Sequence, residues 1–74
     1  MNEIEKIQID NSLNYLIEET IEKYCDKHNT NFNEVLNLFV KSNTYKALYN
    51  YETLLYREGP DYILYLFEEE LSKK

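Results

Sequence analysis

A single glycine and a single proline, adjacent at Gly59-Pro60, leave the chain without the turn residues that a fold of many strands requires. One cysteine excludes an internal disulfide framework and suits a reducing cytoplasm. No apolar run approaches the ~20 residues needed to cross a bilayer, and the opening MNEIEKIQID is too charged for a signal peptide. Basic side chains are few, eight against fourteen acidic ones, for a net charge of -6. That balance argues against DNA or RNA, whose phosphates demand a basic footprint. A Gly-rich phosphate loop, an HExxH and a GxSxG are all missing, so nothing marks an active site and no enzyme is expected.

What is present reads as one all-α domain, residues 1–74, of about four helices. The first helix is expected to begin near Asp10 to Ser12, with residues 1–9 a frayed lead-in or a first turn. Leu13, Leu16, Ile17, Thr20, Ile21, Tyr24 and Cys25 then follow i, i+3, i+4 spacing on one face, and the helix should stop near Lys27. Asn31 and Glu34 form a capping-box pattern ahead of Phe32, Val35, Leu36 and Phe39, with Leu38 and Val40 broadening that face. Ser42 or Asn43 should cap a short third helix over Thr44 to Asn50, with Tyr45, Leu48 and Tyr49 as its stripe. Residues 51–58 read as helix or as an extended connector that packs Leu54, Leu55 and Tyr56 on the core. Pro60 suits the first turn of the last helix, Asp61 its positive end, and Lys73 and Lys74 its negative end. The apolar residues of that helix span roughly 200° of arc, which predicts the most buried element or a second contact surface.

Each candidate site in the chain also has a plainer reading. Cys25 and His28 lie three apart, but zinc needs three or four ligands and the chain holds no other Cys or His. They read as a core thiol and a helix-end imidazole, with no metal and no cofactor expected. Glu18, Glu22 and Asp26 follow i, i+4, i+8 in an acidic half (residues 1–37) that carries -5 of the net charge. Like charges so spaced cost a helix a few tenths of a kcal/mol per pair, which Glu19 and Lys23 offset in part. The stripe is either a solvated face or a surface complementary to a basic partner. Glu68-Glu69-Glu70 allows the same two readings. Of eight tyrosines, Tyr24, Tyr45 and Tyr62 look like core, whereas Tyr15, Tyr49, Tyr51 and Tyr65 fall off or at the edge of the apolar stripes and suit an interface.

Ser42-Asn43-Thr44-Tyr45, Leu48, Glu52-Thr53, Leu55-Tyr56-Arg57-Glu58 and Pro60-Asp61-Tyr62 carry a resemblance. With Tyr15-Leu16-Ile17-Glu18-Glu19 and Asn33-Glu34-Val35-Leu36 upstream, the chain resembles small acidic bacterial proteins encoded beside toxins that are similar to ADP-ribosyltransferases. The pattern runs from about Asn14 to Leu71, with Leu54 standing where it has Gly and Gly59 where it has Ser. The resemblance implies an antitoxin or accessory role and carries no catalytic residues.

A domain this short buries only about 60–65% of its unfolded surface, so a homodimer or a covering protein partner is expected. An antitoxin that folds against its toxin suits these features. So does a phage or mobile-element inhibitor that imitates nucleic-acid charge, and so does a structural helical domain.

Overall fold

The computed structural model describes residues 2–73 as four α-helices, with no strand among them. Helix α1 (Glu3–His28) is followed by α2 (Phe32–Val40) and α3 (Asn43–Tyr49). Two 3₁₀ turns, Tyr51–Thr53 and Leu55–Arg57, then lead into α4 (Pro60–Ser72). The all-α expectation holds.

Helix α1 begins far earlier than its apolar stripe suggested. Asn2 caps it, its Oδ1 accepting from the Glu5 amide at 2.8 Å. No Gly or Pro interrupts residues 3–12, and extending an existing helix needs no new nucleus. The lead-in is therefore helix; Met1 lies outside the described residues. At the far end Asn29 takes a left-handed conformation (φ 54°), its amide donating to the Cys25 carbonyl.

Asn31 starts α2 by accepting from the Glu34 amide at 2.9 Å. The reciprocal half of the capping box does not form, because the Glu34 carboxylate accepts from the Thr30 hydroxyl instead. Ser42 links the next two helices. Its hydroxyl donates to the Phe39 carbonyl at 2.6 Å and accepts from the Tyr45 amide at 3.1 Å, which starts α3 one residue ahead of expectation. Pro60 opens α4 as anticipated, and Lys73 caps its end, with Lys74 outside the described residues.

Leu13, Leu16 and Ile21 of α1, Val35 and Phe39 of α2, Leu48 of α3, and Ile63 and Phe67 of α4 form one buried core. Helix α4 packs on both α1 and α3 and feeds Ile63 and Phe67 into its centre. Tyr62 was expected in the core and is instead 45% exposed, since it lies on the flank turned away from Ile63 and Phe67. Phe32, Leu38 and Val40 are exposed too, so the buried face of α2 is Val35 and Phe39 with Leu36 half-buried. Tyr24 and Tyr45 do pack against the core.

The acidic triplet near the C-terminus has three separate fates. Glu68 accepts from the Lys27 ammonium at 3.0 Å and pairs with the His28 ring at 2.8 Å, tying the end of α1 to α4. Those bonds, His28 first, hold its carboxyl below the usual carboxylate range. Glu69 is exposed. Glu70 caps α3 from across the bundle, accepting from the Asn43 amide at 2.8 Å and from the Thr44 amide and hydroxyl at 2.9 Å each. Caps of this kind contribute about 1 kcal/mol.

Between the 3₁₀ turns, Leu54 adopts φ 58° and ψ 17°. A left-handed conformation costs an L-residue roughly 1–2 kcal/mol, and glycine avoids this. The connector needs the reversal so that Leu55 and Tyr56 reach the core, and Leu54, expected there with them, is left 46% exposed. Because its side chain contributes little packing, Leu54→Gly should leave stability unchanged or raise it by up to about 1 kcal/mol. Leu54→Val should lower it by more than about 1 kcal/mol, because β-branching worsens the same strain. Urea midpoints at constant m-value check both signs.

Candidate protein-partner interface

A helix whose inward face is filled by Leu13, Leu16, Thr20 and Ile21 must present the opposite face to solvent. At 100° per residue, Tyr15, Glu22 and Asp26 fall within about 40° of one another on that outward face, with Glu18 beside them. Tyr15 is 68% exposed, and Glu18, Glu22 and Asp26 are all exposed. None of the three carboxylates joins an ion pair among the described residues. Lys23, expected to offset them, turns to Asp61 of α4 at 3.3 Å. Hydrogen bonding to Glu19, with the charges of Glu19, Glu22 and Glu18, raises the Tyr15 phenol above its ordinary pKa. The ridge is thus an aromatic ring among uncompensated negative charges.

The other tyrosine candidates do not converge on it. Tyr49 packs edge to face on Tyr45 at 4.9 Å, in a separate shallow cleft with Val40, Lys46 and Asn50. Tyr65 stacks beside Tyr62 at 6.4 Å on the outer flank of α4. Tyr51, also among the interface candidates, serves the fold directly. It is half-buried, packs against the core and against Tyr56, and donates its hydroxyl to the Asp10 carboxylate, pinning the connector to α1. The apolar stripe of α3 could not reveal this, because the partner lies 41 residues upstream.

Cys25 and His28 have structural neighbours. His28 stacks on Tyr24 at 4.2 Å while bonding to Glu68, and Cys25 packs against the core. Partial burial, with Asp26 and Glu22 nearby, pushes the thiol up. No group of three His, Cys, Asp or Glu side chains arranged for a metal occurs among the described residues. No helix among them is long and apolar enough to cross a membrane.

Comparison with models of protein families, with curated proteins and with solved structures gives no match to this chain.

The Tyr51–Asp10 bond has an optical consequence. Donation to a carboxylate, with desolvation and the charge of Asp10, pushes the Tyr51 phenol up to about 12. A phenol whose folded pKa exceeds its unfolded value favours the folded state below pH ~10 and loses that contribution as pH rises through the folded pKa. Absorbance titration of phenolate should therefore show a late-ionising tyrosine that disappears in Tyr51→Phe. If the phenolate curves of the two proteins differ only by one ordinary tyrosine near pH 10, the bond is absent in solution.

Proposed function

We propose that this chain is a small acidic, non-enzymatic binding domain that engages a basic protein through the outward face of α1, as an antitoxin engages its toxin. One observation carries the reading: Glu18, Glu22 and Asp26 stand exposed and without ion pairs around Tyr15. Their spacing works against the helix, since each like-charge neighbour costs a few tenths of a kcal/mol. The fold gains nothing from them, whereas Lys23, Lys27, Glu68 and Glu70 all serve it.

A row of carboxylates accelerates encounter with a cationic surface and sets orientation. Tyr15 adds what the charges lack, a rigid ring with one polar tip that a partner can desolvate as an anchor. The titratable groups that meet elsewhere serve the fold: Lys27, His28 and Glu68, like Lys23 and Asp61, hold α1 to α4, and Tyr51 and Asp10 hold the connector to α1. The resemblance to toxin-adjacent proteins points the same way, toward neutralisation by occupancy.

Co-expression with a basic toxin encoded beside this chain, the partner the reading requires, tests the role. The chain should rescue growth, and cells dying equally fast with and without it would contradict the antitoxin reading. Reversing Glu18, Glu22 and Asp26 to Lys should slow association by about tenfold at low salt and flatten its salt dependence, with the helical spectrum intact. Unchanged rates by stopped-flow would remove the acidic ridge from the mechanism. Competition by DNA for the same partner would favour nucleic-acid mimicry instead.

A further inference from the structure

The first two turns of α1 serve no purpose in the core. A helix of 26 residues is about 39 Å long, and the longest dimension of the whole molecule is 39 Å. Residues 2–8 are exposed throughout, and burial begins only at Ile9. A solvated overhang is normally filled with polar residues, yet this one carries Ile4 at 69% exposure and Ile7 at 57%. Their i, i+3 spacing places them side by side on one flank.

Next to this overhang lies a cleft of about 330 Å³, walled by Glu5, Gln8, Ile9 and Ser12 of α1 and by Tyr56 and Arg57 of the second 3₁₀ turn. Arg57 is exposed and pairs with no acidic group among the described residues. The overhang is net acidic, with Glu3 and Glu5 in its first turn against a single Lys6. Apolar projection, cleft, cation and anions all occur within one end of one molecule.

We propose that a second copy of this chain occupies that end: two α1 overhangs cross about a two-fold axis, each seating Ile4 and Ile7 over the other's Tyr56 cleft and bringing Glu3 or Glu5 to the other's Arg57. An isologous contact repeats every interaction, so one complementary pair of features closes the assembly without leaving an open end. Two short helix ends cover less than the ~800 Å² per partner of a stable interface, so the dimer is weak and forms at high protein concentration. The arrangement leaves Tyr15, Glu18, Glu22 and Asp26 uncovered, so it stands independently of the basic partner proposed above. It also differs from the surplus on the last helix that first suggested association, which consists of Tyr62 and Tyr65 rather than aliphatic side chains.

Sedimentation equilibrium between about 10 μM and about 1 mM decides it, that range spanning weak interfaces. The wild-type chain should pass from monomer to dimer, and Ile4→Asp/Ile7→Asp should remain monomeric with an unchanged helical spectrum, since neither residue touches the core. Arg57→Glu should weaken dimerisation by about tenfold, and adding Glu3→Arg and Glu5→Arg should restore it. A wild-type monomer throughout the range would overturn the proposal and leave the overhang to some other protein. A dimer that survives the double Ile substitution would overturn it equally, by placing self-association on another face.

Discussion

Phe39 and Phe67 meet edge to face with centroids 5.0 Å apart, both fully buried, and the rest of the bundle is arranged around that contact. It joins α2 to α4, which otherwise have only α1 and α3 as shared neighbours. Tyr24 leans on Phe67 from α1 at 5.4 Å, and Tyr45 on Phe39 from α3 at 6.0 Å, so one ring pair gathers all four helices. Truncating a buried Phe to Ala costs about 3–5 kcal/mol, while a chain of this length has a total stability of only about 4–11 kcal/mol. The fold has little reserve beyond these two side chains.

A core so small cannot hold distant segments by apolar area alone, and polar bonds between remote parts of the chain do what it leaves undone. Glu70 closes the start of α3, Glu68 holds the end of α1, and Tyr51 fastens the connector to Asp10. Each satisfies groups that would otherwise compete for water at a helix end or a turn. Among the described residues no buried side-chain nitrogen or oxygen lacks a partner. The acidic character of the chain is therefore of two kinds: carboxylates spent on architecture, and the Glu18, Glu22 and Asp26 row that architecture does not use.

Local chemistry announced much of this. The Asn31 cap, the Pro60 start and the stripe through Leu13, Leu16 and Ile21 depend on neighbours three or four residues away, and periodicity reports such neighbours directly. The start of α1 was obscured because its first two turns have no buried face, and Ile4 and Ile7 alone are too short an apolar rhythm to fix a helix start. The bonds of Tyr51 and Glu70 were illegible for a different reason: their partners are 41 and 26–27 residues distant, which no local pattern encodes. Tyr62 shows the limit of counting apolar residues on a wheel, since α4 has more of them than two neighbouring helices can cover. At Leu54 the backbone is left-handed, a conformation that favours glycine and that a leucine in the sequence does not announce.

Inward α1 supports the fold, and outward α1 is left to solvent. The most direct measurement of that division is amide hydrogen exchange in dilute solution, where local opening distinguishes core-bound helix from overhang. Amides around Leu13 to Ile21, at Phe39 and from Ile63 to Phe67 should exchange only with global unfolding. Those of Lys6 to Gln8, hydrogen-bonded but unsupported by any core contact, should exchange far faster within the same continuous helix. Uniform protection along α1 from its first turn, or fast exchange at Ile21 and Phe67, would contradict the account.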